Sequence, residues 1–520
     1  MKLVDDLLAF AVISRATAIP ERPGRIPGAL AAMHRWGGTL AAGTAASAAL
    51  YPEAAAIVDE GGRETSYAEL WQRSCRLAGA LSETGVAPGM NVGIMCRNHR
   101  GFVEAMLASA MCGANVVFLN TGFAGPQLAD VVTHEGIQAV VHDNEFEDAV
   151  RACGTTHAFG ERALERMSSV GPSTEPKAPR RPGSVVVLTS GTTGRPKGAS
   201  RSTLGGTSGA AFLLEQLPLR TRDVTVIAAP LFHGWGLTNL AFGLGLSAKI
   251  VLDREFDPER TIASISRERA TVIAAVPVML ERMLALGGET LVRYDTSPLR
   301  VIASGGSAPG ASLVTRLLDR FGPVVYNLYG STEVALATIA TPRDLRLSPA
   351  TAGRVVRGAR VRLIDEAGKD VARGQTGRVF VGNRLRFEGY TGGGGKETIA
   401  GLLPSGDLGH FDAHGRLFID GREDDMIVSG GENVFPAEVE ELLVAQPEIQ
   451  EAAVVGVPDE EFGQRLKAVV VKAPGANLDS DGVRRLVREH LARYKVPRDV
   501  VFVDELPRTE TGKVLRRMLA

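Results

Sequence analysis

Several features are scarce in this chain of 520 residues, and each scarcity excludes a class of protein. The formal net charge is only −1, so nothing in the overall charge indicates nucleic acid or another strongly charged partner. No apolar run approaches the roughly 20 residues that a membrane-spanning helix requires. The cysteines lack the paired spacing of metal ligands, which favours a structural role and predicts a reducing, cytoplasmic setting. They are Cys75, Cys96, Cys112 and Cys153.

The N-terminal segment also lacks the marks of a secretion signal. Asp5 and Asp6 stand where a signal peptide would be basic. An apolar helical face is predicted at Leu3, Val4, Leu7, Leu8 and Val12. Residues 1–50 are therefore predicted to be a helical extension, either docked on the body of the protein or in peripheral contact with a membrane.

What the chain does contain is a series of short apolar runs that alternate with helical periodicity. Such an alternation predicts parallel sheets covered by helices on both faces, an α/β architecture. The runs are Asn91–Cys96, Ala139–His142, Val185–Leu188, Thr225–Ala229, Thr271–Val276, Leu299–Ala303 and Val324–Leu328. We expect a large domain over residues 51–421 that includes a small, β-barrel-like subdomain at about 350–420, and an α+β domain over 422–520.

A loop rich in glycine and hydroxyl groups follows the strand that begins at Val185. It comprises Thr189, Ser190, Gly191, Thr192, Thr193, Gly194, Arg195, Pro196, Lys197 and Gly198. Glycines let backbone N–H groups turn inward, hydroxyls add donors and Lys197 adds charge, so the loop is suited to a polyphosphate. A Walker loop is excluded, because Pro196 precedes the lysine and Gly198 follows it.

Further motifs follow in a fixed order. They are Leu231–Gly236, Ser304–Pro309, Tyr329–Glu333, Ser405–Asp407, Asp420–Asp425, Ser429–Asn433 and Pro507–Lys513. Together with the glycine-rich loop they resemble the motifs of the adenylate-forming superfamily, which includes acyl-CoA synthetases, luciferases and the adenylation domains of peptide synthetases. The resemblance spans roughly residues 50–520, and its overall character is that of bacterial fatty-acyl-CoA synthetases.

The resemblance implies ATP, Mg²⁺ and coenzyme A as ligands, and it assigns roles to individual residues. Glu333 and Thr192 would hold Mg²⁺, although Glu333 would otherwise be a carboxylate at the start of a helix. Lys513 would neutralise the carboxylate and the α-phosphate during adenylation. Asp407, which we expect in a turn, would accept from the ribose hydroxyls. Contacts to the nucleotide are implied for residues 189–194, Lys197, Gly306, Ser307, Ala308, Asn327, Tyr329, Thr332 and Arg422.

The two half-reactions require different surroundings for one acyl-adenylate, which explains a hinged C-terminal domain. Asp424 matches the hinge position of the family, and Ser429, Gly430 and Gly431 match its thiol channel. The acyl pocket is expected at His233, Trp235, Gly236 and Pro277, and His233 would act at its carboxylate end. No carboxylate in this segment could hold a substrate ammonium, so a hydrophobic acid is favoured over an amino acid.

Several alternatives remain open from the sequence. A medium- or long-chain fatty acid is the first hypothesis for the substrate, with aryl or sterol-derived acids as the alternative. Coenzyme A is favoured over a carrier protein through the resemblance: family members that serve carrier proteins typically carry an added segment between the β subdomain and the hinge, and the spacing from Arg378 to Arg422 is compact. A non-catalytic protein that binds acyl-AMP is disfavoured, because a binding module has no need of Lys513.

Overall fold

The structure is a computed structural model that describes residues 22–171, 174–189, 197–201, 214–383, 388–391, 393, 395–423, 425–429, 432–459, 463–509 and 512–520. Its helices are α1 Ile26–Trp36, α2 Ala42–Leu50, α3 Tyr67–Glu83, α4 Arg100–Met111, α5 Gly125–His134, α6 Glu147–Ala152, α7 Glu161–Val170, α8 Gly234–Gly245, α9 Pro258–Glu268, α10 Pro277–Leu284, α11 Gly288–Leu291, α12 Ala311–Phe321, α13 Pro342–Leu347, α14 Pro436–Val444 and α15 Ser480–His490.

The strands of the first half are β1 Ala55–Val58, β2 Glu64–Ser66, β3 Asn91–Met95, β4 Asn115–Phe118, β5 Ile137–His142, β6 His157–Gly160, β7 Val185–Thr189, β8 Lys197–Arg201, β9 Val224–Ile227, β10 Lys249–Val251, β11 Val272–Ala275, β12 Val301–Gly305 and β13 Val325–Ser331. Those of the second half are β14 Ala335–Ala340, β15 Arg354–Val355, β16 Arg360–Ile364, β17 Gly377–Gly382, β18 Gly389–Tyr390, β19 Leu403–Phe411, β20 Leu417–Arg422, β21 Ile427–Ser429, β22 Glu432–Val434, β23 Ile449–Asp459, β24 Gly463–Lys472 and β25 Asp499–Phe502.

Two large sheets form the body of the protein. One has the strand order β18-β8-β7-β4-β3-β5-β6, and the other has the order β15-β14-β13-β12-β11-β9-β10-β1-β2. The central strands of both pair in parallel, whereas β8, β18, β14, β15 and β2 are antiparallel additions at the edges. The central strands are rich in Val, Ile and Ala and are buried on both faces, as expected of parallel sheets between helices.

A buried asparagine joins the two large sheets near the candidate site. Asn98, which follows β3, donates from Nδ2 to the carbonyls of Ile227 and Ala229 at 3.4 and 3.0 Å. Its Oδ1 accepts from the N–H of Leu231 at 2.8 Å. These bonds satisfy backbone groups that would otherwise be buried without partners, and they fix the turn that leads to His233.

Two smaller sheets complete the described chain. Strands β16, β17, β19 and β20 form an antiparallel sheet in the predicted β subdomain. In the C-terminal region β22, β21, β24 and β23 form another sheet, β25 pairs with β24 in parallel, and α14 and α15 supply apolar side chains to the same core. The predicted α/β fold with a separate small C-terminal domain is confirmed, while the boundaries at residues 50 and 421 stay predictions.

The described N-terminal helices pack on the body. Trp36 of α1 is buried and donates from Nε1 to Glu175 at 3.2 Å, and Ser47 of α2 donates to the carbonyl of Leu244 at 2.7 Å. The amphipathic face predicted for residues 3–12 lies outside the described residues. Across the part of the chain that is described, no helix is both long and apolar enough to cross a bilayer.

Candidate active site

The predicted phosphate loop connects β7 to β8, which pair as an antiparallel hairpin. Residues Ser190, Gly191, Thr192, Thr193 and Gly194 lie outside the described residues, and so does the side chain of Thr189. The described end of the loop is tightly packed, because a Cβ on Gly198 would lie 2.6 Å from Glu135 Oε2 and 2.6 Å from Thr391 Oγ1. The N–H of Gly198 also donates to Glu135 Oε1 at 3.2 Å. A side chain at the position after Lys197 would therefore require these neighbouring side chains to move.

Strand periodicity places Lys197, Ala199 and Arg201 on one face of β8. The Nζ of Lys197 lies 5.6 Å from the centroid of the Tyr390 ring, and Arg201 donates a hydrogen bond to the carbonyl of Thr332. Burial lowers the pKa of Arg201, and the nearby Glu333 carboxylate acts in the opposite direction. One face of this strand thus brings positive charge to the motif that contains Thr332.

Glu333 lies in a short connection between β13 and β14, not at the start of a helix. Its side chain is 13% exposed, with Oε2 accepting from Ser331 Oγ at 3.0 Å and Oε1 accepting from the Tyr390 hydroxyl at 3.1 Å. The Nζ of Lys396 is 3.8 Å from the same Oε1. A carboxylate offers about four acceptor positions, so Glu333 keeps capacity for a cation. This oxygen donor fits Mg²⁺, which would neutralise phosphate charge when bound.

Asp407 is the centre of a polar cluster, and it lies within strand β19 instead of the expected turn. It is 8% exposed, its Oδ2 accepts from the Tyr329 hydroxyl, and its Oδ1 accepts from Arg422 Nη1 at 3.2 Å. Gly406 has φ +86°, and a Cβ there would lie 3.1 Å from Arg422 Nη2. Each oxygen of Asp407 retains an acceptor position, so the pair of hydroxyls of a ribose can still be held.

The loop after β12 is exposed at Gly306, Ser307 and Ala308, as a contact surface for a nucleotide requires. Gly306 has φ +90°, which favours glycine, and a Cβ there would lie 3.3 Å from Val276 Cγ1. By contrast, the predicted nucleotide contact Asn327 is buried, and its Nδ2 already donates to the carbonyl of Thr351 at 3.3 Å.

His233 caps the N-terminus of α8. Its Nδ1 accepts from the N–H of Trp235 at 3.4 Å, which assigns the ring proton of the neutral imidazole to Nε2. A Cβ on Gly234 would lie 3.9 Å from Thr332 Oγ1, so the helix start faces the same motif as Arg201. Burial, and secondly the ammonium of Lys513, lower the pKa of His233 from 6.5 to about 4.

The neutral state of His233 can be tested by titration. We expect a histidine resonance, assigned by its loss in His233→Gln, to titrate near pH 4, and its midpoint to rise in Lys513→Ala but stay below 6.5 because burial is the larger cause. The unfolded chain binds this proton first, so the contribution of His233 to stability decreases as the pH falls from 6.5 toward 4. A native midpoint of 6.5 would contradict the assignment.

Trp235 and its neighbours form a rigid apolar wall. The Trp235 Nε1 donates to the carbonyl of Ala275 at 3.0 Å, and its indole lies so close to Gly305 that a Cβ there would be 3.0 Å from Cδ2. Gly236 is packed against backbone, since a Cβ would lie 2.2 Å from the Pro230 carbonyl oxygen. Pro277 is buried at the first position of α10.

The C-terminal loop that carries Lys513 approaches this wall. Gly512 has φ +78°, and a Cβ on it would lie 2.1 Å from Val278 Cγ1 and 3.9 Å from Val276 Cγ2. The loop is braced by Arg508, which donates to the Gly512 carbonyl and to Glu451 on β23, both at 2.7 Å. Lys513 is exposed, and its charge acts on His233. The structure therefore brings the predicted lysine to the predicted acyl pocket.

The predicted hinge and thiol channel are only partly described. Asp424, Gly430 and Gly431 lie outside the described residues, and Ser429 is the last residue of β21, with its side chain likewise outside. Next to the hinge position, the N–H of Glu423 donates to the carbonyl of Gly406 at 3.0 Å. The roles assigned to these residues stay predictions.

Sequence reasoning missed three polar residues at the site, Arg201, Tyr390 and Lys396. The alternation along β8 was a usable signal for Arg201, because it lies four residues beyond Lys197 on the same face. No comparable signal exists for Tyr390 or Lys396, since their contacts with Glu333 cross about 60 residues of chain and depend on strand pairing. Both lie in a segment from which no site residue was predicted.

Among the described residues, one group outside the candidate site has its potential metal-ligand atoms close together in space. It consists of Cys96, His99 and Asp143. His99 Nε2 bonds Asp143 Oδ1 at 2.8 Å, and His99 Nδ1 accepts from the N–H of Gly101. Arg254 lies 3.6 Å from Asp143 Oδ2. Burial raises the pKa of the Cys96 thiol. The ligand atoms are already engaged by neighbours, so this cluster is a structural network.

Comparison with known proteins gives the family. The AMP-binding enzyme family matches residues 44–391, and the AMP-binding enzyme C-terminal domain matches residues 438–513. Indoleacetate–CoA ligase of Aromatoleum aromaticum is 36% identical over 475 residues, which cover 87% of this chain and 92% of that protein. The fatty acid–[acyl-carrier-protein] ligase ScoC of Streptomyces coeruleorubidus is 31% identical, covering 90% of this chain and 93% of that protein.

A solved structure supports the same family assignment. The o-succinylbenzoate CoA synthetase MenE of Bacillus subtilis, in complex with its acyl-adenylate intermediate, superposes with a TM-score of 0.82 at 28% identity, covering 92% of this chain and 97% of that one. The α/β fold with a separate small C-terminal domain is in accord with these matches. The chain therefore belongs to the AMP-binding enzyme family, within the acyl-CoA ligase superfamily.

Proposed function

We propose that this protein is an ATP-dependent acid–thiol ligase that converts a hydrophobic carboxylic acid into its acyl-adenylate and then into an acyl-CoA. The observation that supports this most is the Lys513 loop, which lies against Val276 and Val278 and whose charge acts on His233. An ammonium group that the C-terminal domain places beside His233 is explained if two anions, the substrate carboxylate and the α-phosphate of ATP, meet at this position.

In the first half-reaction the substrate carboxylate attacks the α-phosphorus of ATP, and pyrophosphate leaves. Asp407 and Arg422 hold the ribose end of the nucleotide, and the phosphate loop with Lys197 holds the polyphosphate. Lys513 reduces the repulsion between the carboxylate and the α-phosphate, because a fixed cation stabilises charge that develops in the transition state. Glu333 would hold Mg²⁺ at the phosphates.

In the second half-reaction the thiol of coenzyme A attacks the acyl carbon, and AMP leaves while the thiol loses its proton. Lys513 has no role in this step, so the C-terminal domain is free to rotate about the position of Asp424. The loop of Ser429, Gly430 and Gly431 would then line the path of the thiol. A carrier protein remains the alternative acceptor, supported by the likeness to ScoC.

For the acid, an aromatic carboxylic acid is the substrate that the pocket supports best. Trp235 is held by its hydrogen bond to Ala275 and lies flat against Gly305, which gives a planar wall of fixed position. Planar rings pack well against such a wall. The similarity to enzymes named for indoleacetate and o-succinylbenzoate supports the same class. The fatty acid expected from the sequence is the second candidate, again supported by ScoC.

A panel of acids distinguishes these candidates. Pyrophosphate release should be measured with indoleacetate, ferulate, o-succinylbenzoate, octanoate and palmitate, with and without coenzyme A, and acyl-CoA identified by mass spectrometry. We expect the highest kcat/KM for an aromatic acid. Higher values for the straight-chain acids would reverse the assignment, and pyrophosphate release without any thioester would indicate a carrier protein as acceptor.

Trp235 gives a direct test of the pocket. In Trp235→Ala we expect KM for the preferred aromatic acid to rise about 3- to 10-fold through loss of ring packing, while octanoate becomes a better substrate. Trp235→Phe keeps a ring but loses the bond to Ala275, so it should give an intermediate KM. Equal loss of activity with all acids in both variants would show that Trp235 supports folding alone.

A further inference from the structure

Tyr390 lies between two parts of the proposed site, the phosphate loop and Glu333, although it is distant from both in the sequence. It is the second residue of β18, which pairs with β8 so that Tyr390 faces Ala199 and Gly389 faces Ser200. Strand β8 begins at Lys197. This is the last residue of the phosphate loop that we propose to contact the nucleotide. The backbone of Tyr390 therefore closes the outer edge of the hairpin that carries this loop.

The side chain of Tyr390 contacts two residues of opposite charge. Its ring lies 5.6 Å from Lys197 Nζ, which is the geometry of a cation–π contact. Its hydroxyl donates to Glu333 Oε1 at 3.1 Å. One rigid side chain thus spans the gap between the lysine of the phosphate loop and the glutamate proposed to hold Mg²⁺.

The hydroxyl of Tyr390 is the donor in its hydrogen bond with Glu333, because a carboxylate only accepts. The hydrogen bond is directional, whereas Lys396, at 3.8 Å from the same oxygen, offers a charge on a flexible chain. Ser331 binds the other oxygen, Oε2, at 3.0 Å. Together Tyr390 and Ser331 fix the plane of the carboxylate.

We propose that Tyr390 is a positioning residue for the adenylation half-reaction: its hydroxyl orients Glu333 toward the metal and its ring orients Lys197 toward the polyphosphate. This inference rests on the proposed function, because it assumes that a magnesium nucleotide binds between these two side chains. It adds a requirement for a tyrosine that lies outside both the phosphate loop with Lys197 and the motif with Glu333.

Two variants separate the two contacts. Tyr390→Phe removes the bond to Glu333 and keeps the ring beside Lys197, so we expect the Mg²⁺ concentration for half-maximal pyrophosphate release to rise about 5- to 10-fold, with little change in ATP affinity without Mg²⁺. Tyr390→Leu also removes the ring, and we expect ATP affinity measured by calorimetry without Mg²⁺ to fall about 3- to 10-fold.

The chain offers a matched control at Tyr494, which is 42% exposed and has Lys495 Nζ 5.7 Å from its ring centroid. Tyr494→Phe and Tyr494→Leu make the same chemical changes far from the site in sequence and should leave both measurements unchanged. Melting temperatures of all four variants report on folding. If Tyr390→Leu does not fold, Tyr390→Phe alone decides the matter.

The outcomes separate this inference from the proposed function. Wild-type protein that binds no ATP by calorimetry would overturn both. Wild-type protein that binds ATP, with Tyr390→Phe showing an unchanged Mg²⁺ dependence and only a lower melting temperature, would overturn the positioning role and leave the ligase proposal intact. A Mg²⁺ shift in Tyr390→Phe without a change in melting temperature would support the inference.

Discussion

Replacing Lys513 with alanine should reduce pyrophosphate release by about 10²- to 10³-fold or more, since this is the usual effect of removing a fixed charge-stabilising group from a transition state. Formation of the thioester from supplied acyl-AMP and coenzyme A should stay within about twofold of wild type, because the second half-reaction as proposed does not use this ammonium. The two rates are measured separately, by pyrophosphate release and by acyl-CoA production.

The control for Lys513→Ala is Lys369→Ala, which removes an exposed lysine in the turn between β16 and β17. Both rates should be unchanged in that variant. Equal losses in the two half-reactions of Lys513→Ala would show that the lysine supports the fold or binds a ligand common to both steps. The division of labour between two positions of the domain would then be wrong.

The second large effect is expected at Gly512, where a change removes no functional group. In Gly512→Ala the new Cβ would lie 2.1 Å from Val278 Cγ1, so the loop must withdraw from α10. A displacement of about 1 Å can cost about 10²-fold in rate, so we expect pyrophosphate release to fall 10- to 100-fold by roughly that effect. Thioester formation from supplied acyl-AMP should be preserved.

Two further variants isolate the clash from backbone strain. Gly475 has φ +79° and nothing within 4 Å of a Cβ, so Gly475→Ala introduces the same kind of strain without a collision and should keep both rates. In the double variant Gly512→Ala with Val278→Ala the colliding methyl is removed, and part of the adenylation rate should return. An inactive double variant combined with a normal melting temperature would argue against contact with Val278 as the cause.

Much of the fold could be predicted from the sequence because local patterns determine it. The runs Asn91–Cys96 and Val185–Leu188 were predicted with bounds at or within one residue of the observed strands. Buried parallel strands are continuous apolar runs, and amphipathic helices repeat every 3.6 residues, so each element is visible alone. The order of the motifs likewise indicates the family, because it is a property of the sequence and does not depend on tertiary contacts.

The environment of Glu333 could not be predicted in the same way. Ser331 and Thr332 are good helix caps, yet the chain continues into β14, because the pairing of β13 with β14 extends the large sheet. The same holds for Asp407, whose Gly-Asp sequence indicates a turn but which lies in β19 opposite Arg422. In both cases tertiary pairing overrides a local preference.

In the proposed mechanism, the contacts of Arg508 determine how the C-terminal domain moves between the two half-reactions. Because one guanidinium joins the Gly512 carbonyl to Glu451 on β23, the lysine-bearing loop is fastened to the C-terminal sheet. Under the proposed mechanism, the charge of Lys513 is therefore withdrawn by rotation of the whole C-terminal domain and not by movement of the loop alone. We expect this rotation to separate the two half-reactions in time, and its rate to be an upper limit on turnover.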